Sequence, residues 1–346
     1  MTDPAANPGW AQAASPFHAG ELAIQARLGV QDRLDRQGRR VIRDYLTEQH
    51  RQFFAQLSYV LIGTVDGEGR PWASILVGEP GFITAPTDGS ASPEGHRTLR
   101  IEAQPLYGDP LHRTLAAAVD VGLLGIELHS RRRNRINGRV TALGAGGFTV
   151  GVSQSFGNCP QYIQARRFDL RAADAIAPKP VYALTALGDR DREMIAAADT
   201  CFIATAYQDA AAGAASGVDV SHRGGQPGFV RMDDPQTLTI PDFSGNLHFN
   251  TCGNLALNPR AGLLFLDFDR GDLLYLTGTA EVIWSGDAVA AYPGAERLLR
   301  FHLEQGDRVE GSLPLSWSAP EFSPLLASTG PWADQANGGS LTIRDL

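Results

Sequence analysis

Cysteine is scarce. The 346-residue chain has three, Cys159, Cys201 and Cys252, too few and too scattered for a disulfide framework and without the CxxC pair that suggests zinc. No metal site is expected, and a reducing cytoplasm is the expected compartment. The first residues, Met1-Thr-Asp-Pro-Ala-Ala-Asn-Pro8, hold neither a basic stretch nor an apolar run, so no secretion signal, membrane span or membrane partner is expected. Excess positive charge is lacking too: a formal net charge of −8 argues against a nucleic-acid partner. Nor is any βαβ unit visible. Gly144-Ala-Gly-Gly147 is followed by strand-like Phe148-Thr-Val-Gly-Val152 rather than by a helix, and reads as a hairpin turn instead of a dinucleotide loop. What remains, 43% hydrophobic and 20% charged residues, is an ordinary globular composition long enough for two domains.

An internal repeat organises the chain. Ser74, Gly78, Pro80, Gly81 and Phe82 recur as Ser221, Gly225, Pro227, Gly228 and Phe229 at one offset (221 − 74 = 147). Downstream, Thr98-Leu-Arg-Ile101 pairs with Thr237-Leu-Thr-Ile240 (offset 139), and Val121-Gly-Leu-Leu124 and Gly138 pair with Ala261-Gly-Leu-Leu264 and Gly278 (offset 140). A period this long means two copies of a whole domain rather than a solenoid. Short apolar runs separated by Gly-, Asp- and Pro-rich turns, from Tyr59 to Ser153 and again from Cys201 to about Trp284, predict compact antiparallel barrels.

The expected fold is mainly β with flanking helices: two tandem split barrels forming an intrachain pseudo-dimer. The expected domains are an N-terminal extension (1–57), a first barrel (58–178) and a second barrel with a C-terminal helix and tail (179–346). Residues to about Pro16 are expected to be loose. Helical patterns over Glu21–Leu34 and Val41–Leu57 are both expected to pack on the first barrel, with further helices near Leu111–Val119, Asp191–Ala198 and Ala288–Glu304. Phe17-His-Ala-Gly-Glu21 reads more readily as the start of a helix, with Glu in its first turn, than as part of a site.

Candidate chemistry concentrates in the second copy. Ser221-His-Arg223-Gly-Gly225 sets a hydroxyl and a guanidinium beside glycines that let backbone N–H groups approach an anion. Asn250, Thr251 and Asn254 lie at the start of a short predicted helix, a favourable place for negative charge. In the first copy Leu76 stands where Arg223 does, and Pro110 and Leu111 where Asn250 and Thr251 do, so its anion site looks lost. The first copy instead carries Asn158-Cys159-Pro160-Gln161, expected at a strand-to-helix junction, and the basic run Arg131-Arg-Arg-Asn-Arg-Ile-Asn-Gly-Arg139. That run fits an anion clamp and a solvated strand face equally well, and no local His or Asp partners Cys159 for nucleophilic catalysis.

Three stretches carry a family resemblance: Phe156-Gly-Asn-Cys-Pro-Gln-Tyr-Ile163, Ser221-His-Arg-Gly-Gly-Gln-Pro-Gly-Phe-Val230, and Phe249-Asn-Thr-Cys-Gly-Asn-Leu255 followed by Asn258-Pro-Arg-Ala-Gly-Leu-Leu-Phe265. Tyr59 to Trp284 resembles a tandem pair of FMN-binding split barrels of the pyridoxamine 5'-phosphate oxidase-like superfamily. The resemblance implies FMN between the barrels, with Ser221 and Arg223 on the phosphate side and Asn250, Thr251 and Asn254 nearby. Asn158, Cys159 and Gln161 would reach across from the other barrel. It implies a flavin-dependent oxidoreductase acting on an unidentified small molecule with an external electron donor; a non-catalytic flavin or electron-relay module, and a deazaflavin- or haem-binding barrel, stay open. No catalytic residue is assigned, Tyr162, His222 and Cys252 are candidates to line the pocket, and homodimerisation stays open beside the internal pseudo-dimer.

Overall fold

The computed structural model describes residues 9–86, 96–171 and 177–333. The first eight residues, residues 87–95 and 172–176, and the end of the tail (334–346) lie outside the described residues. Residues 9–16, expected to be loose, are tied down: Trp10 is buried, its backbone N–H donates to Arg39 O at 2.8 Å and its indole to Ala14 O at 2.8 Å.

The turn-punctuated apolar runs become strands. In the first half these are β1 (Tyr59–Val65), β2 (Pro71–Val77), β3 (Ile83–Thr84), β4 (Thr98–Ile101), β5 (Asp120–Glu127), β6 (Arg132–Gly144) and β7 (Gly147–Asn158). Two short strands follow, β8 (Phe168–Leu170) and β9 (Val181–Leu184). The second half gives β10 (Thr200–Tyr207), β11 (Gly217–Gly224), β12 (Arg231–Asp234), β13 (Thr237–Asp242), β14 (Arg260–Leu266), β15 (Leu273–Ile283), β16 (Arg297–Val309) and β17 (Leu315–Trp317). The first sheet runs β2-β1-β5-β6-β7-β4-β3 and the second β11-β10-β14-β15-β16-β13-β12, so these seven strands correspond place by place, while β9 adds an eighth strand to the second sheet by pairing with β16. Pairing is antiparallel throughout, and β6 and β15 each break register at the repeated glycine, Gly138 and Gly278. The protein is mainly β, two tandem split barrels that form a pseudo-dimer within one chain.

The helices are α1 (Ala19–Arg27), α2 (Gln31–Val41), α3 (Glu48–Ala55), α4 (Leu111–Thr114), α5 (Asp189–Ala197), α6 (Asn250–Leu257) and α7 (Asp287–Ala290). Three expectations fail here. The helix expected over Ala288–Glu304 is the four-residue α7 followed by β16, because Leu298, Phe301 and Leu303 bury in the second barrel and pairing with β13 and β15 overrides local propensity. The helix near Leu111 stops at Thr114. Finally, α1 does not pack on the first barrel but crosses α6 of the second, where a Cβ on Gly20 would lie 2.1 Å from the Gly253 carbonyl oxygen.

Each barrel has its own core, and a third core lies between them. Tyr59, Leu61, Trp72 and Leu124 from the first half meet Phe202, Val220, Leu264 and Tyr275 from the second, all buried. Each such side chain contributes about 1.5–3 kcal/mol. The contact is reciprocal, as in a two-fold dimer. On β5, a Cβ at Gly122 would lie 2.4 Å from Val218 O of β11; on β14, a Cβ at Gly262 would lie 2.3 Å from Pro71 O of β2. These glycines are repeat equivalents (262 − 122 = 140), each letting the other barrel's edge strand pass at backbone distance.

Candidate functional site

Where the barrels meet, β6, β11 and α6 converge on a crevice of about 130 Å³. Side chains alternate across a strand, so Arg133 and Arg135 of β6 share the face that looks toward the second barrel. Ser221 and Arg223 share a face of β11. Arg135 donates to Ser221 Oγ at 2.5 Å and to Asp219, tying the barrels together. Thr251 Oγ1 lies 3.2 Å from Ser221 Oγ, and Asn254 Nδ2 donates to Asp219 Oδ2 at 2.8 Å and to Thr205 Oγ1 at 3.0 Å.

Of the eight site residues singled out in the sequence, Ser221, Arg223, Asn250, Thr251, Asn158, Cys159 and Gln161 line this crevice. Asn254 stands behind it, orienting Asp219. The Asn158–Gln161 turn does come from the first barrel: Asn246 Nδ2 reaches Asn158 Oδ1 at 3.5 Å, while Cys159 Sγ lies 3.3 Å from Gln161 Oε1. The expected helix after this turn is absent; β7 ends at Asn158 and irregular backbone follows. Tyr162, His222 and Cys252 also line the crevice.

Charge decides what the crevice can hold. Four guanidiniums face it, and three have carboxylates: Arg135 has Asp219, while Arg223 and Arg297 share Asp242 at 3.2 and 2.9 Å. Arg133 has none among the described residues. Its Nε donates to Cys159 O at 2.6 Å and its Nη2 lies 3.6 Å from Cys159 Sγ. Burial disfavours the charge on Arg133, and Arg135 and Arg223 disfavour it further. Burial would raise the Asp219 carboxyl, but Arg135, Asn137 and Asn254 outweigh it and hold Asp219 ionised. Burial, then Arg133 and Arg223, keep His222 neutral, and burial with Arg135 lowers the nearby His248 to about 4. Cys252 is pushed up to about 12 by burial.

The backbone adds donors and strain. The residue before α6, Phe249, is in the left-handed region (φ 64°) and supplies no side-chain cap, leaving the first-turn N–H groups beside Asn250 and Thr251 without the usual side-chain acceptor. Tyr162 (φ 59°) and Leu247 (φ 61°) share this conformation, so three of the five described non-glycine residues with positive φ line one crevice. Such strain concentrates at binding sites. The unpartnered buried Nδ2 of Asn158 and Nε2 of His222 belong to the same lining.

Sequence reasoning missed Arg297, Asp242 and the Phe243–Gly245 part of the rim, and left Arg133 and Arg135 inside an undivided basic run. Period-two alternation along that run was the available signal. The structure splits it: Arg131 donates to Ile163 O and pairs with Glu321, Arg132 lies over the Phe53 ring, and exposed Arg139 pairs with half-buried Asp120.

The pseudo-equivalent place in the other half is filled. Counterparts of Arg133, Arg135 and Asn158 are Leu273, Tyr275 and Val309, all fully buried. Ser74, the counterpart of Ser221, donates to buried Asp109, which Tyr275 Oη also contacts at 3.3 Å.

Residues 187–314 match the family described as Pyridoxamine 5'-phosphate oxidase. No curated protein sequence matches the chain. Among solved structures, the chain is similar to a single-residue variant of HupZ from Group A Streptococcus, at 15% identity over 35% of this chain and 98% of that one (TM-score 0.27). A putative pyridoxamine 5'-phosphate oxidase from Lactobacillus delbrueckii is 16% identical over 36% and 94% (TM-score 0.28). An FAD-binding protein from Mesorhizobium loti is 13% identical over 37% and 97% (TM-score 0.25). The matched segment covers β10 to β16, the half that supplies Ser221, Arg223 and α6. Over residues 187–314, its second barrel, the chain is thus similar to the pyridoxamine 5'-phosphate oxidase family.

Proposed function

We propose that the crevice binds a flavin, FMN, and that the protein is a flavin-dependent oxidoreductase acting on a small molecule. The observation that carries the reading is Arg133, a cation without a carboxylate among the described residues, in the same crevice as an uncapped helix start. An anionic group is the missing partner of both. Arg133, Arg135, Ser221, Asn250 and Thr251 would hold the phosphate. Asn158, Gln161 and His222, whose donors and acceptors are only partly used within the protein, would meet the polar edge of a heterocycle.

Bound there, a flavin supplies electron transfer through its own ring system. The chain's part is to bind, orient and exclude water. Neutral His222 can donate or accept one hydrogen bond without adding charge, and Asp242 is held between two guanidiniums. Tyr162, whose phenol is raised by burial and then by Glu296, lines the same crevice as Cys159.

Purified protein tests this directly. FMN binding predicts absorption near about 375 and 450 nm and release of FMN on denaturation, identified by mass spectrometry. A colourless protein that fails to take up added FMN overturns the reading. Turnover of NAD(P)H or an amine by the loaded protein separates an enzyme from an electron carrier.

A further inference from the structure

The N-terminal segment just before the first barrel is built into the wall of the crevice. At its start α1 crosses α6 at Gly20 and Gly253, where a Cβ on Gly253 would lie 2.6 Å from the Glu21 side chain. That approach brings Glu21, which is 3% exposed, to the first residue of α6: Asn250 Nδ2 donates to Glu21 Oε1 at 2.5 Å. The other carboxyl oxygen accepts the His18 backbone N–H at 2.9 Å, closing a capping box on α1. One carboxyl group therefore serves two helices, with one oxygen for its own helix and one for the crevice-lining Asn250.

We infer that Glu21 is a positioning residue for the ligand site: it fixes the Asn250 side chain, and so the uncapped first turn of α6, in the orientation that receives the ligand's anionic group. This rests on the flavin reading. Phe17, packed edge-on against His248 with ring centroids 5.2 Å apart, and Gln25, donating to His248 O at 3.3 Å, hold the preceding stretch of the same loop. The extension thereby grips the crevice wall at both ends of the turn leading into α6. Burial keeps the Glu21 carboxyl protonated far above the ordinary range, with Asp219 adding to the effect, so a neutral glutamine is its closest substitute.

The two oxygens make the inference separable from a plain stability role. Glu21→Gln can turn its carbonyl to Asn250 while giving up the His18 contact; Glu21→Ala loses both. In fluorescence titrations of the full chain with FMN, Glu21→Ala is expected to weaken binding about tenfold, one charge-independent hydrogen bond's worth at a pre-set site. Glu21→Gln should stay within about threefold of wild type although its melting temperature falls with the lost cap. On an Asn250→Ala background, Glu21→Ala should have no further effect on affinity.

Wild-type affinity in Glu21→Ala, or additive losses in the double variant, overturns the inference while leaving the flavin reading intact. Should Glu21→Ala not fold, a Glu21→Gln protein that falls tenfold or more in affinity overturns it equally. Wild type that binds no FMN overturns the flavin reading, and this inference with it.

Discussion

Replacing Arg133 with leucine would convert one half of the crevice into its filled counterpart, since Leu273 occupies the pseudo-equivalent position. Among the described residues Arg133 has no carboxylate to strand, so the substitution removes hydrogen bonds to Cys159 and little else. Those bonds contribute about 0.5–1.5 kcal/mol each, and burying leucine offsets part of the loss. Unliganded stability should therefore shift by no more than about 1 kcal/mol. Loss of a charge-assisted bond to phosphate should cost about 1.5–3 kcal/mol of binding, or about 10- to 150-fold in Kd. The assay is a pair of thermal melts, with and without FMN at about 100 times the wild-type Kd. Wild type should gain about 2.7 kcal/mol from the ligand, and a variant weakened 100-fold about 0.4 kcal/mol. An unchanged ligand-induced shift would refute the assignment of Arg133 as the open cation.

The inter-barrel contact and a buried histidine give two more tests. Gly262→Ala should destabilise by about 1–3 kcal/mol and weaken FMN binding, because its Cβ would press on Pro71 O; Gly144→Ala, with no neighbouring atom within 4 Å, is the control. Equal denaturation midpoints for the two variants would count against a rigid shared interface. His50, buried on α3, is lowered to about 4 by burial and then by Arg43, below an unfolded value of about 6.5. Its contribution is complete above about pH 6.5 and lost as pH falls toward about 4. His50→Gln should flatten the stability profile in that window by up to about 1.4 kcal/mol per pH unit; parallel urea-denaturation profiles would sink the assignment.

Much of this was legible in the sequence because the repeat is spelled in glycines and serines that backbone geometry demands. Gly122 and Gly262 could be paired by offset, and the structure shows both pressed against a neighbouring strand. Ser221, Asn250 and Thr251 could be gathered because they lie near one another along a single copy. Arg133, Arg297 and Asp242 could not, since they meet only through the inter-barrel contact and the β13–β16 pairing. Phe17–Glu21 read as an ordinary helix start, which it is; that Glu21 also reaches Asn250, 229 residues away, is a tertiary fact. The misread C-terminal helix shows the same limit, because Arg297–Val309 has no strict alternation until two neighbouring strands claim it.

Because each crevice is composite, losing one of the two required changes in both copies. Leu76 stands for Arg223 in the first barrel, while Leu273, Tyr275 and Val309 stand for Arg133, Arg135 and Asn158 in the second. Asp242, which neutralises Arg223, corresponds by the β4–β13 offset (242 − 139 = 103) to Ala103, so no carboxylate waits at that place. Restoring the arginine alone should therefore fail. Leu76 is fully buried among apolar side chains, and Leu76→Arg would put an unpaired charge there at a cost of several kcal/mol. We expect that variant to unfold at lower denaturant and, where folded, to release one FMN per chain, as wild type should. Two FMN per chain, from wild type or from Leu76→Arg alone, would show that the first half kept a working site and that the filled crevice is not what sets the stoichiometry.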